Sequence, residues 1–174
     1  MANERGLTDR ERSSLSGGLV RALHQAGVQP RISAAPHPAA LVSSVWRGHV
    51  PILTLGQTIH WPRAQEDFSA SEADMAILQH ELHHVFEFVT GVLTPLGYLL
   101  HPRNWSYEVR LTAGCCWRDF GAEQRAVIAE RLWWAERGSA GAEATLLCSL
   151  VPWAAGDSGR FARDESGATP DLRA

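Results

Sequence analysis

The residues whose types and spacing can do chemistry are His80-Glu81-Leu82-His83-His84, a His-Glu-x-x-His pattern. Histidines four positions apart lie on one face of an α-helix, so both imidazoles can bind one Zn²⁺ ion. The glutamate that follows the first histidine can act as a general base toward a water at the metal. The pattern therefore predicts two metal ligands, His80 and His84, and a catalytic base, Glu81.

The segment that carries this pattern predicts a helix from Ala73 to Thr90. Ser71 and Asp74 form a capping arrangement before it, Gly91 suits its end, and no proline or glycine interrupts it. One side of this helix collects apolar side chains and the other collects the two histidines of the pair. The apolar side consists of Met75, Leu78, Leu82, Val85, Phe86 and Val89. We therefore expect a helix beneath a cleft, with its back in the core.

Two further predictions concern metal ligation. His83 is offset from the ligand pair, so we expect it in an outer shell or at the surface. A catalytic zinc usually has three protein ligands, and Glu123 is the first candidate for the third because it opens a predicted helix over residues 121–137. The helix dipole also favours an acidic residue there, so spacing alone leaves both interpretations open. The alternatives are Glu130 on the same face, Asp119, which also suits a cap, and His101, which could instead face a substrate.

Before the metal-binding pattern, the sequence predicts a helix and then a small sheet. Thr8 and Glu11 form a capping box, helical spacing of apolar residues follows, and Gly27 can end the helix. Short β-rich runs then predict an antiparallel sheet. They are Leu41-Val42, Val45-Trp46, Val50 to Leu55 and Thr58 to Trp61.

After the metal helix, a stretch with glycine and proline runs from Gly91 to Asn104, and helices are predicted over residues 121–137 and 143–151. From Gly156 onward the composition has few apolar residues, which predicts a disordered tail. We therefore expect one α+β domain over residues 1–155 and a tail over residues 156–174.

Composition narrows the classes of partner. The chain has 174 residues and a net charge of −3, and no basic stripe appears, which argues against nucleic acid as a partner. No run approaches the roughly 20 apolar residues that span a bilayer. The polar start from Met1 to Arg12 lacks a secretory signal, which predicts a cytoplasmic protein unless a signal-independent machine exports it. The three cysteines are expected to be thiols, since Cys115 and Cys116 are adjacent and no Cys-x-x-Cys spacing occurs.

Five stretches in order carry a resemblance to a known group of proteins. They are Thr58-Ile59-His60-Trp61-Pro62, His80-Glu81-Leu82-His83-His84-Val85, His101-Pro102, Ser106-Tyr107-Glu108-Val109-Arg110-Leu111 and Glu123-Gln124-Arg125-Ala126. Together they resemble the small bacterial proteins labelled "vgr-related", which are found near type VI secretion components. That group is similar to zincin-type metallopeptidases. The resemblance implies a zinc site with His80, His84 and Glu123 as ligands and Glu81 as base.

The resemblance also implies a zincin-like α+β fold, in which a small antiparallel sheet packs on the metal helix and a second helix carries the third ligand. In such folds an edge strand beside the metal helix holds extended substrate, and Gln57 to Trp61, with His60, is the candidate strand. By analogy with zincins, Tyr107 could donate a hydrogen bond to a developing oxyanion, although an aromatic of the core or of an interface would look the same in the sequence.

The leading hypothesis is a zinc-dependent hydrolase that acts as a peptidase on a peptide or protein. Glu81 would be the base, and Tyr107 or His101 would stabilise the oxyanion. The alternative is a non-catalytic, metal-stabilised module that docks onto a secretion or phage-tail-like assembly, for which the seven tryptophans would suit a binding surface. A third hypothesis is an enzyme relic that no longer binds metal.

Overall fold

One long helix, α4 (Glu72–Val89), lies at the centre of the protein. The computed structural model describes residues 4–112, 114–138 and 142–154. The hydroxyl of Ser71 accepts a hydrogen bond of 3.2 Å from the backbone N–H of Asp74 at the start of α4, and Gly91 follows its end with a φ of 74°. Both helix signals read from the sequence are therefore confirmed.

Both sides of α4 are buried. The apolar side forms the core as predicted, and Leu78, Leu82 and Val85 are fully inaccessible to solvent. The histidine side is covered by a later helix, α6 (Ala122–Arg137), which packs along α4. His80 and His84 are consequently only 8% and 5% exposed to solvent. Polar residues that are buried on a helix need polar partners, and α6 supplies them for His80, His84 and Glu87.

The sheet has four short strands and is mixed. The strands are β1 (Glu4–Arg5), β2 (Arg31–Ser33), β3 (Leu53–Leu55) and β4 (Thr58–His60), in the order β1-β2-β4-β3. β2 and β4 are parallel, whereas the two outer pairs are antiparallel. The prediction of an antiparallel sheet is therefore wrong for the central pair. After β3 the hairpin returns the chain as β4, which pairs with β2 and runs parallel to it. Turn signals in the sequence do not reveal which earlier strand a strand will pair with.

The predicted edge strand is also wrong. The run from Gln57 to Trp61 contains β4, which lies between β2 and β3. Among the described residues, β3 is the strand at that edge of the sheet. His60 on β4 is half-buried, and its Nδ1 lies 3.2 Å from the carbonyl oxygen of Ala35, which fits a structural role.

Two runs that were expected to be strands form a helix instead. Leu41-Val42 and Val45-Trp46 lie in α3 (Pro38–Arg47). His37 caps this helix through its ring, which accepts a backbone N–H at 3.2 Å, and Gly48 ends it with a φ of 72°. A proline at the first helical position is pre-organised for a helix, and these end signals outweigh the β propensity of valine and tryptophan.

The remaining elements are helical. The predicted N-terminal helix divides at Leu15 and Ser16 into two pieces, and its capping box of Thr8 and Glu11 is confirmed. The predicted helices over 121–137 and 143–151 are confirmed with small shifts of their ends. The bounds not yet given are α1 (Asp9–Ser14), α2 (Gly17–Gln25), α5 (Pro95–Leu100), α7 (Ala142–Leu150) and 3₁₀ helices at Pro102–Trp105 and Trp117–Asp119.

Three other expectations concern the whole chain. The cysteines at 115, 116 and 148 are free thiols, as expected. Within the described ranges, no helix combines the length and the apolar content needed to cross a membrane. The tail predicted from residue 156 lies outside the residues that the structure describes.

Candidate metal centre

Three side chains from two helices converge on one point. His80 and His84 project from adjacent turns of α4, and Glu123 projects from the first turn of α6. The Oε2 atom of Glu123 lies 3.1 Å from Nε2 of His80 and 3.5 Å from Nε2 of His84. One donor atom from each residue lies within 4.8 Å of the other two. Such a group has the spacing needed to bind one metal ion.

The donor set suits a divalent cation such as zinc. Two imidazole nitrogens and one carboxylate oxygen form the ligand set of several catalytic zinc enzymes. Burial lowers the pKa of His80, but its contacts with Glu123 and Glu130 outweigh burial and raise that pKa to about 10. Burial raises the pKa of Glu123, but hydrogen bonds from both histidines outweigh burial and hold it well below the usual range. Acidic groups thus give this buried point an affinity for positive charge, and a cation would displace the proton of His80.

Glu130 contacts the outer side of His80. Its Oε2 lies 3.6 Å from Nδ1 of His80, the nitrogen that faces away from Glu123. An acidic group on this side of an imidazole ligand can help to orient it. Of the candidates for the third ligand, Glu123 therefore lies at the common point. Glu130 lies on the opposite side of the His80 ring. Asp119 accepts a hydrogen bond of 2.8 Å from the backbone N–H of Cys116, so it acts as a cap.

Glu81 lies on one flank of the histidine pair, as the helical wheel predicts. Its Oε2 accepts a hydrogen bond of 2.6 Å from the hydroxyl of Thr54, which lies on β3. The charge of Glu81 contributes to the raised pKa of His80. The edge strand β3 therefore contacts α4 at Glu81, the residue expected to act as base.

Tyr98, which the sequence did not single out, completes the environment of Glu123. Its hydroxyl donates a hydrogen bond of 2.5 Å to Oε1 of Glu123. Burial and the charge of Glu123 both raise the pKa of Tyr98, so this hydroxyl keeps its proton at neutral pH. Thr94 and Pro95 are the sequence signals for α5, because Thr94 caps it and Pro95 opens it, but no local pattern shows that its tyrosine reaches α6.

The structure separates the two residues predicted to stabilise an oxyanion. The ring of Tyr107 lies nearly parallel to that of His80, with 6.2 Å between centroids and an angle of 18°, and Tyr107 is 56% exposed. It therefore lies at the mouth of the site. His101 is exposed and lines a cavity of about 280 Å³, and no member of the metal-binding group lines that cavity. His101 is thus not brought to the centre.

His83 is not a member of the metal-binding group, as expected, but it does not lie at the surface either, because it is only 1% exposed. The indole N–H of Trp153 donates a hydrogen bond of 3.2 Å to its Nδ1, and its Nε2 lies 3.2 Å from Oε1 of Glu87. Burial lowers the pKa of His83. The segment that follows α7 covers this flank of α4. A helical wheel describes only the helix itself, so it cannot predict a contact with Trp153, 70 positions away.

A buried ion pair joins α4 and α6 below the candidate centre. The guanidinium of Arg125 donates to Oε1 of Glu87 and also to the carbonyl oxygen of Phe120, the latter at 2.6 Å. Burial raises the pKa of Glu87, but His83 and Arg125 outweigh burial and lower it to about 2. This charged pair holds the start of α6, and therefore Glu123, against α4.

The start of α6 is also held by close backbone packing. The backbone N–H of Ala122 donates a hydrogen bond of 2.9 Å to the side chain of Asn104. Gly121 lies directly against the carbonyl group of Arg103, and a Cβ atom at this position would overlap that backbone. The 3₁₀ helix at Pro102–Trp105 and the first turn of α6 are therefore in direct contact.

Comparison with protein-family models, curated proteins and solved structures finds no match for this chain. A function is therefore inferred from the side chains of the centre and from their geometry.

Proposed function

We propose that the protein is a zinc-dependent hydrolase that cleaves peptide bonds, with Zn²⁺ bound by His80, His84 and Glu123. The observation that carries this proposal is the convergence of two helical histidines and a glutamate from a later helix on one buried point. Structural zinc sites usually have four protein ligands, whereas catalytic sites keep one position open. Among the described residues the group has three members, which supports the catalytic type.

The protein residues around this point suit hydrolysis. A bound Zn²⁺ supplies Lewis acidity, which polarises a carbonyl group and lowers the pKa of a coordinated water. Glu81 accepts the proton of the attacking water and later delivers a proton to the leaving amine. The hydrogen bond from Thr54 to Oε2 orients this carboxylate, so the other oxygen takes part in the proton transfer.

Substrate binding follows from the sheet edge and from the mouth of the site. β3 contacts Glu81 through Thr54, so a peptide that adds to this edge as an extended strand passes beside the base. Tyr107, beside His80 at the mouth, is the residue that donates a hydrogen bond to the developing oxyanion. This arrangement is the one expected from the sequence, with β3 in place of the strand first predicted.

The test combines metal analysis with peptide cleavage. Wild-type protein and Glu81→Gln, both loaded with zinc, are incubated with a mixture of unstructured peptides, and products are identified by mass spectrometry. We expect one zinc per chain in both proteins and cleavage by the wild type alone. His84→Ala should lose metal and cleavage together. Equal cleavage by Glu81→Gln, or a wild-type protein without affinity for zinc, would refute the proposal.

A second candidate function is a metal-stabilised binding module without catalysis, associated with a secretion or phage-tail-like assembly. Large apolar side chains that are at least 47% exposed on two short helices favour it. They are Leu41, Val42, Val45, Leu96, Leu99 and Leu100. X-ray absorption spectra of the zinc-loaded protein separate the two functions, because a site closed by a fourth protein ligand indicates a structural metal and a water in that position indicates a catalytic one.

A further inference from the structure

We infer that Tyr98 is a positioning residue for the metal centre, which holds one oxygen of Glu123 so that only the other faces the two histidines. This inference rests on the proposed metal site. It assigns a role to a residue outside the His-Glu-x-x-His pattern and outside every stretch that carries the family resemblance.

The two oxygens of the Glu123 carboxylate have different partners. Oε2 faces both imidazoles, at 3.1 Å from His80 and 3.5 Å from His84. Oε1 accepts the hydrogen bond of 2.5 Å from the Tyr98 hydroxyl. A carboxylate can bind a metal through one oxygen or through both. Because Tyr98 engages Oε1, Glu123 is held to one-oxygen ligation, which keeps the remaining coordination position available for water or substrate.

Tyr98 is fixed in place by contacts that lead back to α6. The indole N–H of Trp105 donates a hydrogen bond of 3.0 Å to the carbonyl oxygen of Tyr98, and the two rings are stacked with 6.5 Å between centroids. Asn104 donates to the carbonyl oxygen of Gly97 at 3.0 Å and accepts from the backbone N–H of Ala122 at 2.9 Å. The tyrosine is thus held relative to the same turn of α6 that carries Glu123.

Burial within α5 cannot account for the position of Tyr98. No residue of α5 is fully buried, and Leu96, Leu99 and Leu100 are all more than 60% exposed. Tyr98 is the half-buried member of the helix, and its hydroxyl points at Glu123. The leucines of α5 face solvent and its tyrosine faces the carboxylate of Glu123. We therefore infer that this hydrogen bond determines the orientation of α5.

The chain offers a matched pair of variants, because Tyr98 and Tyr107 are its two tyrosines. Tyr98→Phe removes the hydroxyl on Glu123, and Tyr107→Phe removes one at the mouth of the site. Zinc affinity is measured by competition with a chromogenic chelator. We expect Tyr98→Phe to bind zinc about 10–100-fold more weakly than the wild type, the usual effect of losing a partner of a ligand. Tyr107→Phe leaves the hydrogen bond on Oε1 of Glu123 in place and should weaken zinc binding less than Tyr98→Phe does.

Cobalt substitution tests the coordination itself. The wild type and Tyr107→Phe should show the intense visible absorption of four-coordinate Co²⁺, whereas Tyr98→Phe should show the weaker absorption of a higher coordination number. Loss of packing alone would not change the coordination number. Identical affinity and identical Co²⁺ spectra in the three proteins would overturn the inference.

A measurement that keeps the Tyr98 hydroxyl covers the case in which Tyr98→Phe does not fold. Tyr107→Phe grown with 3-fluorotyrosine carries its single ¹⁹F label at residue 98. We expect this resonance to shift as one equivalent of Zn²⁺ is added, and an unmoved resonance with zinc bound would overturn the inference. If the wild type binds no zinc, the proposed function falls as well; if it binds zinc and Tyr98→Phe is unchanged, only the role of Tyr98 falls.

Discussion

The hydroxyl of Thr54 donates a hydrogen bond of 2.6 Å to Oε2 of Glu81. This contact joins the edge strand of the sheet to the residue proposed as the general base. It means that the strand that would hold a substrate also orients the carboxylate that acts on it.

Thr54→Val should therefore reduce peptide cleavage without removing the metal. Valine has nearly the shape of threonine but cannot donate, and a small misplacement of a catalytic group can cost up to about 10²-fold in rate. The measurement compares kcat and zinc content with those of Thr58→Val, a matched change on the neighbouring strand β4. A Thr54→Val protein with the kcat of the Thr58→Val control would show that this hydrogen bond does not orient the base.

Removal of Glu123 and removal of Glu130 should have different effects on metal binding. In the wild type, zinc at about 1,000 times its Kd should stabilise the fold by about 4 kcal/mol. Glu123→Ala should abolish this stabilisation, because it removes one of the three proposed ligands. Glu130→Ala should weaken zinc binding by about 10-fold, because it removes only the partner of His80 Nδ1.

Thermal unfolding with and without zinc measures both effects. The assignment of the third ligand is wrong if Glu130→Ala is the variant that no longer responds to zinc and Glu123→Ala still does.

Loss of Arg125 should destabilise the protein strongly. Arg125→Met leaves the carboxylate of Glu87, whose side chain is 1% exposed, without its cationic partner. Removing one member of a buried ion pair costs about 3–5 kcal/mol. Urea unfolding measures this loss against Arg131→Met, an exposed site on the same helix. A loss no larger than that of the control would mean that the pair does not hold α6 in place.

Glu11 predicts a pH dependence of stability. It is fully buried and accepts hydrogen bonds from Arg5 at 2.7 and 2.8 Å and from the backbone N–H groups of Thr8 and Phe68. Burial raises the pKa of Glu11, but these donors outweigh burial and lower it below its usual value of 4.5. Since the pKa is lower in the folded state, this contribution is present above the unfolded pKa and is lost as the pH falls through the folded one.

Glu11→Gln should consequently be less stable than the wild type at neutral pH and should lose less stability on acidification. The urea midpoint measured at a series of pH values tests this, with the exposed Glu66→Gln as control. Parallel pH profiles for the wild type and Glu11→Gln would contradict the prediction.

Local signals were sufficient for the two helices of the centre. α4 and α6 have periodic apolar residues and recognisable ends, and the spacing of His80 and His84 follows from helical geometry. Glu123 was one of several candidates, because the choice depends on how α6 packs against α4. The convergence of the three residues therefore depends on tertiary packing, and the sequence predicted it only as one of several alternatives.

Most of the features that were missed depend on contacts between distant segments. The burial of His83 depends on Trp153, the strand order depends on a crossover, and the contact of Tyr98 with Glu123 depends on where a six-residue helix lies. α3 shows a different cause, since end signals there outweighed side-chain propensity. The vgr-related resemblance and the type VI secretion partner remain predictions.

The contact between Gly121 and Arg103 has a consequence for which substitutions the chain can accept. The φ of Gly121 is −72°, which any amino acid can adopt, so the requirement for glycine here is one of space and not of backbone conformation. Even alanine would force the neighbouring backbone outward, and Glu123, two positions later, would move with its helix. One added methyl group, on a residue with no chemistry of its own, would thereby disturb the alignment of the three proposed zinc ligands.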